Sequence, residues 1–250
     1  MGTVYLVGAG PGAADLLTVR AVRLLERADI VFHDALVEPD VLAIAARAEK
    51  IAVGKRCGAH STSQRFINKR LVDAASRHAV VVRLKGGDPM LFGRAHEEIE
   101  ALAAARIDFE VVPGVTAALA AAADTGVSLT RRGVARSVAF VTPRVGEGEL
   151  PNAWAQSAAA ADTAVIYMAS GQAGEVVAAM LAHGSQRDLP VAVVENAGRP
   201  GRSWRVGRLA DLRALAEAGA GGPALILIGE VVRTLATQAV TAAEPARAVA

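Results

Sequence analysis

Short apolar runs, rich in β-branched residues, alternate along the chain with longer stretches in which apolar residues recur at helical spacing. Runs of this length without polar alternation are typical of parallel strands that helices cover on both faces. The predicted strands are Thr3–Val7, Ile30–Phe32, Ile51–Val53, Val80–Leu84, Phe109–Val112, Ser137–Val141, Thr163–Met168, Val191–Glu195 and Ala224–Ile228. The pattern therefore predicts an α/β protein in which strands and helices alternate.

Helical periodicity follows the first run and recurs in the second half of the chain. Apolar residues of the segment 17–28 fall on one helical face, and Asp15 stands before them as the predicted N-cap. Further helices are predicted near 172–183 and 209–218. The order of strand, helix and strand at the start of the chain predicts a βαβ unit.

The predicted strands fall into two groups, which Pro113 and Gly114 separate. Proline ends a strand because it lacks a main-chain N–H, and glycine adopts turn conformations that other residues rarely adopt. We therefore expect two α/β domains, 1–113 and 114–238. The segment 239–250 is rich in Ala and has no apolar stripe to bury, so we expect a flexible tail.

The composition favours a globular protein and excludes several classes of function. Hydrophobic residues make up 52% of the 250 residues and charged residues 21%, which is enough apolar surface for a folded core. The formal net charge of +2 is too small to attract nucleic acid to the molecule as a whole. The single cysteine, Cys57, excludes an intrachain disulfide, and no apolar run reaches the length of about 20 residues that a membrane span needs. We expect a cytoplasmic protein without metal, nucleic-acid or membrane partners.

Three glycine-containing turns, 7–12, 83–89 and 113–117, follow predicted strands of the first group. Ligands of open α/β sheets bind beyond the carboxyl ends of the strands, and glycine lets the main chain approach a ligand closely. The three turns together predict a ligand-binding floor, although each alone is explained as a tight strand-to-helix turn. Thr116 in the third turn is interpreted either as a helix cap or as a ligand contact.

The first of these turns also fits a dinucleotide-binding motif. The segment 8–13 satisfies G-x-G-x-x-G/A, and Asp34 stands near the end of the second strand, where an acid would bind a ribose. Pro11, however, lacks the N–H that a pyrophosphate would bind, and Asp88 adds a carboxylate that suits a cationic ligand better. A flavin- or nicotinamide-dependent oxidoreductase is therefore an alternative to an enzyme with a cationic cofactor.

Several segments of the chain, taken in order, resemble motifs of the tetrapyrrole methyltransferases. They are Val7–Gly12, Ala28–Asp34, Val53–Arg56, Val82–Arg94, Val112–Ala117 and Tyr167–Met168. The likeness extends from about Val4 to Val232. The strings Arg-Leu-Lys-Gly-Gly-Asp-Pro and Val-Gly-Lys-Arg are most similar to those of members that act on uroporphyrinogen III.

The resemblance implies two α/β domains of the tetrapyrrole methyltransferase type, with S-adenosyl-L-methionine bound in the cleft between them. It implies a homodimer that methylates two ring carbons of uroporphyrinogen III and gives precorrin-2 for siroheme or cobalamin, with S-adenosyl-L-homocysteine as the second product. The same scaffold also carries enzymes that methylate a later precorrin, which is the first alternative. A non-catalytic ligand-binding module is a further one.

The resemblance also implies roles for individual residues. The cofactor contacts that it carries over by position are Pro11, Gly86, Gly87, Asp88, Leu91, Thr116, Ala117, Met168 and Ala197. Asp34 and Lys55 correspond to the proposed proton acceptor and proton donor of the family. Taken as residues alone, Asp34 is equally a turn or helix-capping residue, and Lys55 is equally a solvated cation.

A substrate with acetate and propionate arms requires positive groups, and guanidinium groups bind carboxylates through two hydrogen bonds. Arg94, Arg131 and Arg132 are the candidates, and ordinary surface arginines are the alternative interpretation. The chain departs from the family pattern near these residues. Arg131 stands where relatives commonly have His, the segment 92–96 lacks the usual glycine pair, and the segment 141–144 replaces a Thr-Gly-His. These departures concern the expected substrate side of the site.

Overall fold

The computed structural model of the chain describes residues 1–54, 64–146, 150 and 152–238. The main chain forms two compact units, Met1–Ala120 and Ala121–Ala250. The division falls in the helix that follows the Pro113 and Gly114 turn. The expected tail 239–250 lies outside the described residues.

The first unit is an α/β unit with a five-stranded sheet. Its strands are β1 (Thr3–Gly8), β2 (Ile30–His33), β3 (Glu49–Ala52), β4 (Val80–Lys85) and β5 (Phe109–Val112). Its helices are α1 (Val19–Arg27), α2 (Pro39–Ile44), α3 (Gln64–Ala75), α4 (Ala95–Ala104) and α5 (Ala117–Thr125), the last of which continues into the second unit. All strand pairs are parallel, and the strand order is β3-β2-β4-β1-β5. The predicted parallel sheet is confirmed in this unit.

Helices cover both faces of this sheet, which is why its central strands β1, β2 and β4 are largely apolar. Successive side chains of β4 point to opposite faces: Val81 packs in a cluster with Leu71 of α3, and Val82 packs in a cluster with Leu24 of α1. Full burial of each of these side chains contributes roughly 1.5–3 kcal/mol. Because the period is two residues, the side chain of Arg83 is placed on the same face as Val81.

The first helix begins later than its periodicity indicated. Thr18 is the N-cap of α1, and its side-chain oxygen accepts a hydrogen bond from the main-chain N–H of Ala21 at 3.2 Å. Asp15 lies before it in a short 3-10 turn, Ala14–Leu16. The prediction that Asp15 caps this helix is wrong, because Thr18 is the residue in extended conformation directly before the first helical turn.

The second unit contains a mixed sheet. Its strands are β6 (Val138–Val141), β7 (Thr163–Tyr167), β8 (Pro190–Glu195), β9 (Ser203–Arg208) and β10 (Ala224–Gly229), in the order β6-β7-β10-β8-β9. Its other helices are α6 (Trp154–Ala160), α7 (Ala173–Ala182), α8 (Leu212–Glu217) and α9 (Arg233–Gln238). Only β6 and β7 are parallel, whereas β10 is antiparallel to both β7 and β8. The prediction of a parallel sheet is wrong for this unit.

Strand β9 is absent from the sequence prediction. It lies at the edge of the sheet, pairs with β8 alone, and has no fully buried residue. A strand in this position does not need an apolar run, so polar residues interrupt its pattern. Across the described part of the chain, no helix has the length and apolar character needed to span a bilayer.

Candidate active site

The first two glycine turns are joined to each other. β1 and β4 are neighbouring parallel strands, so the turns that follow them leave the sheet side by side. The Gly10 N–H donates to the Gly87 carbonyl at 3.2 Å, and the Gly87 N–H donates to the Gly10 carbonyl at 2.7 Å. Both glycines have positive φ, +68° and +66°, which L side chains rarely adopt. The structure therefore brings these two predicted turns together.

Asp88 ties the third glycine turn to the second. One oxygen of its carboxylate accepts a hydrogen bond from the Met90 N–H at 2.8 Å, and the other accepts one from the Gly114 N–H at 2.9 Å. Gly114 packs directly on the main chain of Gly8 and Gly87, where a side chain would collide with the Gly87 carbonyl. The three turns thus form one rim at the carboxyl edge of the first sheet.

This geometry disfavours the dinucleotide interpretation. The N–H groups of Gly10 and Gly87 are engaged with carbonyls, as is the N–H of Ala9, which donates to Lys85 at 2.7 Å. Helix α1 begins only at Val19, and the first turn is followed by the short 3-10 turn Ala14–Leu16 rather than by the N-terminus of an α-helix. In the dinucleotide-binding order β2 is next to β1, whereas here β4 separates them and Asp34 does not border the first turn.

Asp34 follows β2 and ends a chain of buried charged side chains. Arg83 donates from Nη2 to Asp34 Oδ1 at 2.5 Å and from Nε to Glu98 Oε1 at 2.9 Å. Lys85 donates from Nζ to Glu98 Oε2 at 2.8 Å. The side chains of Arg83, Lys85 and Glu98 are at most 3% exposed, whereas that of Asp34 is 29% exposed. Asp34 is therefore the member of this charged network that meets solvent.

The turn that begins at Asp34 is closed by its main chain, since its carbonyl accepts a hydrogen bond from the Val37 N–H at 3.2 Å. Its carboxylate binds Arg83 instead. The turn and the ion pair therefore use different atoms of the same residue, which leaves the carboxylate available for chemistry beside Arg83.

Burial and neighbouring charges shift the pKa values of the two cations in this network. Burial lowers the pKa of Arg83, but the carboxylates of Asp34 and Glu98 outweigh it, and the net pKa is raised. Burial and the neighbouring Arg83 charge lower the pKa of Lys85, against the opposing effect of Glu98. Arg83 is consequently a permanent cation, and Lys85 is the more readily deprotonated of the two.

The sequence does not predict that Arg83, Lys85 and Glu98 form a network of ion pairs. A signal for two of them is present, because Arg83 and Lys85 stand at alternate positions of an otherwise apolar strand and so share one face. Glu98 gives no such signal, since it stands beside another acidic residue, Glu97, and looks like part of a solvated helix face.

Lys55 lies outside the described residues. The described chain before it ends at Gly54, whose position is close to Asp34: a Cβ at residue 54 would lie 2.8 Å from the Asp34 Cα. The role of Lys55 remains a prediction.

The other predicted cofactor residues of the first unit lie on or next to the glycine rim. Pro11 is buried directly after Gly10. The Leu91 N–H donates to the Asp88 carbonyl at 3.3 Å. Thr116 precedes α5, which begins at Ala117, and its carbonyl accepts the Leu119 N–H at 3.0 Å.

Met168 and Ala197 belong to the second unit. They follow β7 and β8, which are both antiparallel to β10 and therefore end at the same edge of that sheet. Met168 is 44% exposed and has a φ of 57°, a left-handed conformation that costs a non-glycine residue roughly 1–3 kcal/mol. Ala197 is buried after Asn196, which also has positive φ.

The three candidate arginines differ in their surroundings. Arg94 donates two hydrogen bonds, at 2.6 and 2.8 Å, to the carboxylate of Glu97 one helical turn ahead. Arg131 and Arg132 are exposed in the second unit, where the Arg131 main chain pairs with Ala135. Among the described residues, His, Cys, Asp and Glu side chains do not form a group of three that could hold a metal ion.

Residues 3–213 match the family of Tetrapyrrole (Corrin/Porphyrin) Methylases. The chain is 47% identical over 233 residues to Siroheme synthase 1 of Klebsiella pneumoniae, a match that covers 93% of this chain and 49% of the relative. The chain thus spans about half the length of the curated relatives it matches.

Two solved structures are similar over nearly the whole chain. Uroporphyrin-III C-methyl transferase from Thermus thermophilus complexed with S-adenyl homocysteine has a TM-score of 0.82 and 41% identity, covering 93% of this chain and 100% of that one. A cobalt precorrin-4 methyltransferase has a TM-score of 0.80 and 30% identity, covering 92% of this chain and 95% of that one. Because the family match extends over residues 3–213, the chain belongs to the tetrapyrrole (corrin/porphyrin) methylase family.

Proposed function

We propose that the chain transfers methyl groups from S-adenosyl-L-methionine to two ring carbons of uroporphyrinogen III and thereby makes precorrin-2 for siroheme or cobalamin. The observation that carries the proposal is the glycine rim with Asp88 at its edge, beside the Asp34 and Arg83 ion pair. The similar Thermus thermophilus enzyme, which acts on a uroporphyrin-III substrate and binds S-adenyl homocysteine, supports it.

The glycine rim fits S-adenosyl-L-methionine better than it fits a phosphate-bearing cofactor. Its N–H groups at Gly10 and Gly87 are paired with carbonyls, and the charged side chain at its edge is the carboxylate of Asp88. Both features suit a ligand with a sulfonium and an ammonium group. The cofactor supplies an activated methyl group. The residues that would hold it are Pro11, Gly86, Gly87, Asp88, Leu91, Thr116 and Ala117 in the first unit and Met168 and Ala197 in the second.

Asp34 is the proton acceptor in this proposal. A pyrrole carbon becomes more nucleophilic when its ring N–H loses a proton, so a carboxylate beside the substrate assists the reaction. Arg83 holds Oδ1 of Asp34, and we assign Oδ2 to accept the proton. Lys55 is proposed as the proton donor. The remaining task of the protein is to orient the two reactants, an effect worth up to roughly 7–11 kcal/mol.

Arg94, Arg131 and Arg132 are proposed to bind substrate carboxylates. Arg131 and Arg132 present exposed guanidinium groups, which suit an acetate or propionate arm. Arg94 already binds Glu97, so a substrate arm would have to share that guanidinium or displace Glu97. We therefore expect Arg131 and Arg132 to contribute more to substrate affinity than Arg94.

The proposal concerns methyl transfer alone, because the chain spans about half the length of its siroheme synthase relatives. A homodimer, implied by the family resemblance, and a cytoplasmic location, expected from the composition, belong to the same proposal. Light scattering of the purified chain tests the homodimer, which a monomeric mass at micromolar concentration would contradict.

A methyltransferase that acts on a later precorrin is the second candidate. Its support is the similarity to cobalt precorrin-4 methyltransferase, together with the family departures at Arg131 and in the segments 92–96 and 141–144. The substrate-facing residues, rather than the cofactor rim, separate these two candidates.

The deciding experiment has two parts. Calorimetry should detect binding of S-adenosyl-L-homocysteine to the purified chain. Incubation with uroporphyrinogen III and S-adenosyl-L-methionine, without oxygen, should yield a product with two added methyl groups by mass spectrometry. Cofactor binding without methylation of uroporphyrinogen III, followed by methylation of a later precorrin, would replace the first candidate with the second.

A further inference from the structure

A chain of four buried or half-buried charged side chains ends at Asp34: Lys85, Glu98, Arg83 and Asp34 itself. We propose that Glu98 is a positioning residue for methyl transfer, which acts as the permanent counter-ion of Arg83 and so leaves Asp34 free to accept a proton, while Lys85 balances the charge of Glu98. The inference rests on the proton-acceptor role proposed above for Asp34.

The two carboxylates that bind Arg83 differ in accessibility and in their other contacts. The side chain of Glu98 is fully buried, whereas that of Asp34 is 29% exposed. Glu98 also accepts hydrogen bonds from Lys85 Nζ at 2.8 Å and from Gln64 Nε2 at 3.2 Å. Glu98 is therefore held inside the protein by three donors, and Asp34 is the carboxylate that a substrate can approach.

The charges explain why Arg83 needs two carboxylates. Asp34 becomes neutral when it accepts a proton, and a buried guanidinium left without a counter-ion at that moment would be strongly destabilised. Glu98 is the second carboxylate bound to Arg83, so the guanidinium keeps a carboxylate partner when Asp34 is protonated. Without Glu98, Asp34 would be the only carboxylate on Arg83, and the ion pair would favour its charged form and make it a weaker base.

Titratable groups of four described elements are placed near Asp34. They are His33 in β2, Arg83 and Lys85 in β4, Glu97 and Glu98 in α4, and Arg70 in α3, whose guanidinium lies 5.7 Å from the Phe32 ring centroid and stacks on that ring. The His33 ring contacts the Asp34 carbonyl rather than its carboxylate, and Glu97 is bound by Arg94. Glu98 and Lys85 are both buried and carry opposite charges. Removing either charge by substitution therefore tests the inference.

The pH dependence of kcat with uroporphyrinogen III is the measurement, taken at saturating S-adenosyl-L-methionine without oxygen. Glu98→Gln keeps the side-chain shape and an oxygen acceptor but removes the negative charge. The acidic limb of the pH profile of kcat for Glu98→Gln should move about one pH unit toward lower pH, and the plateau kcat should fall about two- to tenfold. Lys85→Met removes the positive charge, so its acidic limb should move toward higher pH. Carboxylates of the substrate titrate alike with every variant, so the differences between variants report on the protein.

The matched control is Glu195→Gln in the second unit. Glu195 is a buried carboxylate whose Oε2 lies 3.0 Å from Arg205 Nη2, so this change also removes a buried counter-ion. It should lower the thermal unfolding temperature, as Glu98→Gln should, and leave the acidic limb of the pH profile of kcat unmoved. Calorimetry with S-adenosyl-L-homocysteine confirms that each variant is folded, and Lys85→Met decides the question if Glu98→Gln does not fold.

Two results would overturn the inference: acidic limbs that stay at the wild-type pH in folded, active variants, or limbs that move in the same direction in Glu98→Gln and Lys85→Met. A wild-type chain that binds the cofactor but transfers no methyl group to uroporphyrinogen III would instead overturn the proposed function. The two failures are therefore distinguishable.

Discussion

The carboxylate of Asp88 and the main-chain N–H of Gly114 form a hydrogen bond of 2.9 Å between the turns that follow β4 and β5. The second carboxylate oxygen accepts the Met90 N–H at 2.8 Å. Asp88 therefore holds the glycine rim together and also places a negative charge there.

Substitutions at Asp88 separate these two contributions. Asp88→Ala removes two hydrogen bonds, which contribute on the order of 1 kcal/mol each, so the free energy of unfolding should fall by about 2 kcal/mol. Asp88→Asn keeps one oxygen acceptor and should cost less stability. Because Asp88→Asn removes the charge, it should weaken binding of cationic S-adenosyl-L-methionine more than binding of S-adenosyl-L-homocysteine, as measured by calorimetry. An equal loss for both ligands would show that Asp88 acts through loop geometry alone.

Gly114 is the position of the rim that is least tolerant of a side chain. A Cβ there would collide with the carbonyl oxygen of Gly87 and lie 2.8 Å from the Cα of Gly8, and main chain cannot yield as a flexible side chain does. Gly114→Ala should lower the free energy of unfolding by roughly 1–3 kcal/mol. In Gly171→Ala the new Cβ meets open space, so this variant is the control for the change of residue type. Urea unfolding that finds the two variants equally stable would refute the packing argument.

The N-cap of α1 can be identified by two alanine substitutions. The hydroxyl of Thr18 accepts the Ala21 N–H, so Thr18→Ala should lower the free energy of unfolding by about 1 kcal/mol. Asp15→Ala changes an exposed residue of the preceding turn and should have little effect. Equilibrium urea unfolding of both variants tests the assignment, and a larger loss for Asp15→Ala would restore Asp15 as the cap.

The sequence predicts the first unit better than the second for a physical reason. Strands that are buried on both faces are largely apolar, so the central strands β1, β2 and β4 are evident as runs. Strand β9 lies at a sheet edge and alternates irregularly, and strand direction leaves no mark on composition, so the antiparallel pairs of β10 were not predicted.

In the candidate site, too, the sequence predicts some features and not others. Glycine turns after strands are visible in sequence, because glycine alone adopts the positive φ of Gly10 and Gly87 without strain. The partnership of Asp34, Arg83 and Glu98 is not visible, because it joins β2, β4 and α4 through the order of strands in the sheet. That order is a tertiary property that local patterning does not encode.

Asp162 makes a pH-dependent contribution to the stability of the second unit. Its Oδ2 accepts hydrogen bonds from the Arg136 N–H at 2.8 Å and from the N–H and hydroxyl of Ser137 at 2.9 and 2.8 Å. These hydrogen bonds hold the pKa of Asp162 below its usual value of 3.8, and the one from the Arg136 N–H has the largest effect. A carboxyl whose pKa is lower in the folded state stabilises the fold above the unfolded pKa and loses this effect as pH falls through the folded pKa.

The wild type should therefore be more stable than Asp162→Ala at pH 7 and pH 5, and this difference should shrink as pH falls below about 4. Urea unfolding of both proteins at several pH values measures it, since the other carboxyl groups contribute equally to both. A difference that grows toward acid pH would contradict the assignment.

Asp34→Asn tests the chemistry most directly. The amide oxygen can still accept the hydrogen bond from Arg83, so the variant keeps the shape of the pair and loses only the proton acceptor. We expect kcat for methylation of uroporphyrinogen III to fall by about 10²–10⁴-fold, as is usual for the loss of a general base. Affinity for S-adenosyl-L-homocysteine should be unchanged, because Asn preserves the contact with Arg83 and Asp34 is not one of the proposed cofactor contacts. Asp40→Asn, which changes an exposed carboxylate at the start of α2, is the control and should alter neither quantity. If Asp34→Asn keeps wild-type kcat, the proton must leave the ring by another route, and the ion pair with Arg83 serves only to hold the end of β2 in place.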